Sequence, residues 1–217
     1  MCLVCTPTAG GREYAFKTYD INCYFLIIRN YLVIFRSLAF LVSELEYIAV
    51  TIGPGTFAGV RIGLSAAKGM GLALAIPVIA VTTLEAIAYQ YACEHEAFSG
   101  IIAVAIDARR GEVYLQSFEL NKGACAATSK PEAIALNSVK DKLAEDVTLL
   151  LGSAGDLLKD IPIKHVSGYD HPNAAFIARM AVGIIERAQT SDDVAPLYLR
   201  APDAIKPAPL NMIVRDE

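Results

Sequence analysis

The sequence predicts an α/β fold with a mixed sheet, and two observations support that prediction. Apolar, β-branched runs alternate with helical patterns between residues 46 and 92. A polar break near residues 95–100 is then followed by a second series of strand and helix patterns. This succession is typical of layered α/β proteins, and 217 residues suffice for one large domain or two small lobes.

The first part of the pattern centres on a glycine-containing turn. Residues 46–52 read EYIAVTI and run into Gly-Pro-Gly, which predicts a buried strand entering a tight turn. Residues 57–75, rich in Ala, Gly and Leu, predict a helix, and residues 77–81 predict a short strand. Thr82 and Glu85 then form the capping box of a helix running to about residue 92.

The second part begins with a predicted hairpin. The apolar run 101–106 and the alternating run 112–119 read as two strands joined by a turn at 107–111. Further elements are predicted as a helix at 131–144, a strand at 147–151 and a helix at 173–189. The tail from residue 195 carries four prolines, which predicts extended, irregular chain.

Composition narrows the possible partners. The formal net charge is −4, whereas a protein that grips nucleic acid alone usually presents a basic face. Any link to RNA is therefore expected to run through a partner protein. Residues 24–42 and 62–82 are apolar, but charged residues or a proline interrupt both, so core is favoured over membrane.

The five cysteines point to ordinary thiols in a reducing cytoplasm. Cys2 and Cys5 form a C-x-x-C, but no second such pair and no zinc-finger histidine spacing follows. The N-terminus also lacks the pattern of a secretory signal. His95, His165 and His171 are scattered, which gives no support for a metalloprotease site.

Three sequence blocks carry a family resemblance. Residues 52–64, IGPGTFAGVRIGL, resemble the GPGSFTGLRIG signature of the TsaB (YeaZ-type) family. Residues 106–114, IDARRGEVY, look like that family's DARRGEVY hairpin, and residues 196–200, PLYLR, are similar to its C-terminal segment. The blocks occur in family order over residues 44–205.

The resemblance implies a two-lobed ASKHA fold, related to actin, sugar kinases and RNase H. It implies an N-terminal lobe over residues 1–98 and a C-terminal lobe with an extended tail over 99–217. It also implies a cytoplasmic, non-catalytic scaffold that serves the formation of N6-threonylcarbamoyladenosine at position 37 of tRNA. A TsaD-type paralogue and a TsaE-type ATPase would be its partners, a homodimer is possible, and tRNA would be met only indirectly. No cofactor, metal or catalytic residue is implied.

The helix predicted at residues 57–75 supplies the candidate partner interface. Small residues recur at every fourth position, which lets another backbone approach closely, and apolar residues lie beside them. The set comprises Gly59, Val60, Gly63, Leu64, Ala67 and Gly71. Cover from the same chain and a partner surface are both open, and the resemblance favours the partner. An outward stripe predicts that Ala67→Leu weakens association.

The loop before this helix is the second candidate site. Its motif residues are Gly53, Pro54, Gly55, Thr56, Phe57 and Arg61. No Gly-Lys-Ser/Thr follows, so the loop is not a Walker A, although its amides are suited to an anion. The alternative is a plain strand-to-helix turn whose glycines admit positive φ, and this alternative is favoured.

Residues 1–43 depart from the family. The Asp-Thr pair of the family's opening strand is missing, and this region is short by about one hairpin. It is either divergent or the product of a shifted frame or wrong start, which leaves the first strands in doubt. The competing functions are a stand-alone ASKHA kinase or ATPase, for which Asp107 is the only plausible carboxylate, and an M22-type peptidase-like protein.

Overall fold

The computed structural model describes residues 2–7, 14–19 and 45–200, the first two segments by their backbone alone. The strands are β1 (Cys2–Pro7), β2 (Tyr14–Tyr19), β3 (Tyr47–Thr51), β4 (Val78–Val81), β5 (Ser99–Arg109), β6 (Glu112–Asn121), β7 (Ala124–Ala127), β8 (Glu132–Ala135), β9 (Val147–Leu151), β10 (Lys164–His165) and β11 (Ala188–Gln189). The helices are α1 (Phe57–Leu74), α2 (Thr83–Glu94), α3 (Val139–Lys142) and α4 (Ala174–Gly183). The described strands form two sheets, one in each of two lobes.

The first sheet has the strand order β11-β4-β3-β1-β2. β3 and β4 are parallel, as expected for strands joined through a helix, and the other neighbours pair antiparallel. β3 is buried on both faces, because Ile48 and Val50 pack beneath α1 while Ala49 packs with Ile177 of α4. This double burial explains why the β3 sequence is continuously apolar rather than alternating.

Helix α1 has a defined cap at each end. The Thr56 hydroxyl accepts a hydrogen bond from the Gly59 amide at 3.2 Å, which satisfies one of the unpaired donors of the first turn. Ala75 closes the helix in the left-handed conformation, with its N–H directed at the carbonyls of Gly71 and Leu72. The predicted helix at 57–75 therefore ends one residue earlier than expected.

Helix α2 lies between the lobes. The capping box predicted for it is present, since Thr82 and Glu85 exchange side chain to backbone hydrogen bonds at 3.1 and 3.2 Å. Leu84 and Ile87 pack against the second sheet, whereas Ala86 packs in the core of the first. The helix is thus a wall shared by both hydrophobic cores.

The second sheet has the order β10-β9-β5-β6-β7, with β8 also pairing with β6. Its centre is the long β5–β6 hairpin, in which Arg109, Arg110 and Gly111 all take positive φ at the turn. The α2 side of this sheet and the opposite side each hold a separate core cluster. The predicted strand at 147–151 coincides with β9.

The helix predicted at 131–144 is wrong. Residues 132–135 form β8, in which Ile134 is buried and pairs with Val113 of β6. A short 3₁₀ turn and the four-residue α3 follow. The alternation in this stretch fits a strand once β6 offers a partner, which local sequence does not reveal.

The C-terminal part of the chain returns to the first lobe, which corrects the predicted lobe over residues 99–217. Helix α4 contributes Ile177 and Ala181 to the core beneath the first sheet, and β11 pairs with β4 at its edge. The predicted helix at 173–189 is also shorter than expected, because it ends at Gly183 before a 3₁₀ turn at Ile185–Arg187 and β11.

Two expectations from the sequence concern the N-terminal region. The strands placed in doubt by the sequence are present as β1 and β2. β1 pairs with both β2 and β3, so the segment that carries Cys2 and Cys5 is part of the first sheet. The apolar stretch at 24–42 lies outside the described residues. Among the residues described, no helix is long and apolar enough to cross a membrane.

Candidate functional site

The glycine loop is a tightly packed turn between β3 and α1. Gly53 is buried with φ +110°, and a Cβ there would lie 3.0 Å from the carbonyl oxygen of Leu197. The Gly53 carbonyl accepts a hydrogen bond from the Thr83 amide at 2.8 Å. Pro54 is also buried, while Gly55 is exposed. Glycine is required at position 53 by both the backbone conformation and the close approach.

An exposed aromatic and guanidinium cluster lies next to this loop. The Arg61 guanidinium carbon is 3.5 Å from the centre of the Phe57 ring, and Arg61 Nε donates to the Tyr198 hydroxyl at 2.7 Å. The two rings stack with centroids 5.8 Å apart. Phe57 is 57% and Tyr198 47% exposed, which is unusual for large apolar side chains.

The three sequence blocks meet at one place through residues 196–200. The Leu197 amide donates to the carbonyl of Ile52 at 2.8 Å, which joins the third block to the first. The Arg200 guanidinium lies 3.0 Å from the Glu112 carboxylate and donates to the carbonyl of Ala108, which joins the third block to the hairpin. Tertiary contact therefore connects segments that are 88 to 145 residues apart in sequence.

The small-residue stripe of α1 faces its own sheet. Gly63, Leu64, Ala67 and Gly71 are the buried residues of this helix, and Ala67 has no exposed surface. They pack on the β3 and β4 side chains, where a Cβ on Gly71 would lie 2.8 Å from Val78 Cγ2. The outward orientation predicted for these four residues is therefore wrong, because small residues suit contact with a sheet as well as with a partner.

The opposite side of α1 is exposed and partly apolar. We call it the exposed α1 face, and its members recur at helical spacing: Ala58, Ile62, Ser65, Gly69 and Leu72. Leu72 is 72% exposed, and a Cβ on Gly69 would have no heavy atom within 4 Å. Of the predicted interface residues, Gly59 is exposed and Val60 half-buried beside the loop. The spacing of this second stripe was readable in the sequence, but its exposure was not.

The residues with catalytic potential have structural partners. The Asp107 carboxylate accepts a hydrogen bond from the Arg109 amide at 2.7 Å and pairs with its guanidinium at 3.1 Å, so it closes its own turn. The Ser153 hydroxyl accepts a hydrogen bond from the Asp107 amide. Within the part of the chain that the structure describes, no group of three or more His, Cys, Asp or Glu residues is arranged to hold a metal ion.

Several groups on or near α2 have raised pKa values. Burial raises the pKa of the Cys125 thiol to about 12, and the negative charges of Glu85 and the Cys93 thiolate add to the shift. Burial, followed by a hydrogen bond to Cys93, raises the pKa of Tyr89 to about 12. Burial and a hydrogen bond to Glu94 also raise the pKa of Tyr169. The neutral form of each group therefore favours the folded state.

We expect stability to fall at alkaline pH. The unfolded pKa values are 9.0 for Cys and 10.0 for Tyr, so these groups contribute fully below about pH 9 and lose their contribution as pH rises through 12. Urea unfolding between pH 8 and 12 should show a decreasing free energy of unfolding. For Cys125→Ala, the free energy of unfolding should decrease less steeply with pH than it does for the wild type. Equal slopes would show that Cys125 does not contribute to the pH dependence.

Comparison with known proteins places these features in context. The model of the family described as "TsaD: tRNA N6-adenosine threonylcarbamoyltransferase" matches residues 30–151, more than half of the chain. The chain is 29% identical over 175 residues to the tRNA threonylcarbamoyladenosine biosynthesis protein TsaB of Haemophilus influenzae, covering 73% of this chain and 71% of that protein.

Two further TsaB relatives match over shorter segments. Identity is 40% over 81 residues to the Bacillus subtilis protein and 36% over 92 residues to the Escherichia coli protein, covering 37% and 42% of this chain. These matches span only 34% and 39% of the relatives' own lengths.

Solved structures confirm the two-lobed fold. A Pseudomonas aeruginosa protein described as similar to peptidase YEAZ superposes with a TM-score of 0.67 at 24% identity, covering 88% of this chain and 91% of that chain. The structure titled YeaZ from the same organism gives a TM-score of 0.64 at 23% identity, covering 86% and 89%. At this level of identity the likeness establishes the fold alone.

Proposed function

Since the chain belongs to the TsaD family of tRNA N6-adenosine threonylcarbamoyltransferases and, within it, to the TsaB (YeaZ) type, we propose that it is an accessory subunit of the complex that forms threonylcarbamoyladenosine in tRNA. In this role it does no chemistry itself and pairs with a TsaD-type catalytic subunit. A TsaE-type ATPase joins the pair, and the complex works in the cytoplasm.

The exposed α1 face is the observation that carries this proposal. Ile62 and Leu72 are large apolar side chains at the surface, and the smaller Ala58, Ser65 and Gly69 lie in line with them. An apolar face with low relief lets a partner helix approach closely, and such patches mark interaction sites more often than chance. The face also continues to the exposed ring of Phe57.

The engagement of polar groups supports a non-catalytic role. The carboxylate of Asp107 closes the hairpin turn. The hydroxyl of Ser153 accepts a hydrogen bond from the backbone amide of Asp107. A kinase or ATPase would instead direct carboxylates toward Mg²⁺ at the mouth of the cleft. The acidic net charge further supports a subunit that meets tRNA through its partner.

The test is reconstitution. The purified chain should bind a TsaD-type subunit, and threonylcarbamoyladenosine formation in tRNA by the assembled enzymes should depend on its addition. Alone, the chain should neither hydrolyse ATP nor cleave protein, and it should bind tRNA only weakly at physiological salt. Modification at full rate without this chain, or ATP turnover by the chain alone that Asp107→Ala abolishes, would contradict the accessory role.

We expect Leu72→Glu to weaken binding of the TsaD-type subunit at least tenfold. The change would bury a charge in an apolar interface, and about 1.4 kcal/mol corresponds to a factor of ten. Thermal stability should be unchanged, because Leu72 is exposed in the free protein. Titration calorimetry of the variant against the wild type measures the effect.

A matched control is available in the second lobe. Leu157 is also a leucine at the surface, 47% exposed, and it lies in a 3₁₀ turn remote from α1 in sequence. Leu157→Glu should leave the affinity unchanged. If both variants bind like the wild type, the exposed α1 face is not the docking surface, and sedimentation of this chain at rising concentration would show whether the face serves a homodimer instead.

A further inference from the structure

Arg61 is a cation held in a fixed orientation at the border of the exposed α1 face. Its guanidinium lies on the Phe57 ring, and its Nε hydrogen is directed at the Tyr198 hydroxyl. Stacking and this hydrogen bond restrict a side chain that is otherwise among the most flexible. The ordering entropy that a long side chain loses on binding is therefore already lost in the free protein.

The charge of Arg61 is not neutralised within residues 45–200. Arg109, Arg187 and Arg200 each form an ion pair, with Asp107, Glu85 and Glu112 respectively. In this same part of the chain no carboxylate lies within ion-pair distance of Arg61, and its polar contact there is to the neutral phenol of Tyr198. The first turn of α1 also has no acidic residue. An anionic group would complement this charge.

The surroundings indicate which anion fits. Phe57 and Tyr198 are large and about half exposed, and Ile62 adjoins Arg61 on the helix. Arginine and tyrosine beside apolar rings are the composition of energetic hot spots in protein interfaces, where a polar rim borders an apolar centre. A planar guanidinium binds a carboxylate through two parallel hydrogen bonds.

We propose that Arg61, held by Phe57 and Tyr198, receives an aspartate or glutamate side chain of the partner protein that docks on the exposed α1 face. This inference rests on the proposed function and adds to it the chemistry of the partner's contact residue. The pair lies at the rim of the interface, where it fixes the register of the two helical surfaces. Tyr198 acts by positioning Arg61, which gives the C-terminal PLYLR block a part in recognition.

The experiment compares four proteins in binding to the purified TsaD-type subunit at several salt concentrations. Arg61→Ala should weaken binding about tenfold and reduce its salt dependence, because the charge that salt screens is gone. Arg61→Lys should retain the salt dependence but bind more weakly than the wild type, since lysine lacks the planar fork. Arg179→Ala is the control, since it removes another exposed helical arginine, from α4 on the opposite side of the sheet, and should bind like the wild type.

A second measurement identifies the anion. Arg61→Glu should bind still more weakly than Arg61→Ala, and one Asp→Arg or Glu→Arg change in the partner should restore its binding. Tyr198→Phe, which keeps the ring and removes the hydroxyl, should weaken binding by a smaller factor of about three. The melting temperatures of these variants should equal that of the wild type, which would show that the fold is intact.

The outcomes separate this inference from the proposed function. If the wild type binds the TsaD-type subunit and Arg61→Ala binds equally well, the inference is wrong while the proposed function stands. If Arg61→Ala leaves subunit binding intact but reduces tRNA binding by the complex, the anion is an RNA phosphate and the carboxylate proposal is overturned. If the wild type neither binds the subunit nor supports tRNA modification, the inference about Arg61 and the proposed function are both wrong.

Discussion

Gly152→Ala should reduce the free energy of unfolding by about 4 kcal/mol or more, because two separate costs coincide at this residue. Gly152 follows β9 with φ +98°, a conformation that side chains with a Cβ rarely adopt. A Cβ there would also lie 2.2 Å from the carbonyl oxygen of Ala105 in β5. That oxygen accepts a hydrogen bond from the Ala154 amide, so β5 and β9 cannot move apart without weakening this hydrogen bond.

Gly168→Ala isolates the conformational cost. Gly168 has φ +93°, nearly the same as Gly152, but a Cβ there would meet no heavy atom within 4 Å. The free energy of unfolding of Gly168→Ala should fall by only about 1–2 kcal/mol, because a residue with a Cβ is strained in the left-handed conformation. Urea unfolding of both variants followed by circular dichroism measures the difference, and equal losses would show that β5 and β9 accommodate the added methyl group.

Ala67→Leu should also destabilise the protein, by about 1–3 kcal/mol, because overpacking forces neighbours out of their preferred positions. Ala67 has no exposed surface and lies in the core with Ile48 and Val78. The folded fraction of the variant should still bind the TsaD-type subunit, since the residue faces away from the exposed α1 face. Melting temperature and affinity, measured on the same sample, test both expectations.

Ala73→Leu makes the same chemical change six residues later on the same helix. Ala73 is exposed, so the added carbons project into solvent and the melting temperature should remain that of the wild type. Loss of affinity by Ala67→Leu with no loss of stability would contradict the burial of this stripe. It would restore the outward orientation that the sequence predicts for Gly63, Ala67 and Gly71.

Local signals determined much of the fold. Thr82 and Glu85 form the predicted capping box because a cap requires only residues three positions apart. Strand β9 coincides with its predicted range, since a short apolar run bounded by polar residues has few alternatives. The helix predicted at 131–144 was wrong because β8 exists only through pairing with β6, a contact between residues about 20 positions apart.

The sequence by itself determined the α/β class, the order of most described elements and, through the three blocks, the family. Only the tertiary structure decided which side of α1 is exposed. That helix has small and apolar residues around its whole circumference, so its periodicity does not distinguish the side that meets the sheet from the side that meets water. Tertiary structure also decided the contact of Arg61 with Tyr198, because these residues lie 137 positions apart in sequence and only folding brings their side chains together.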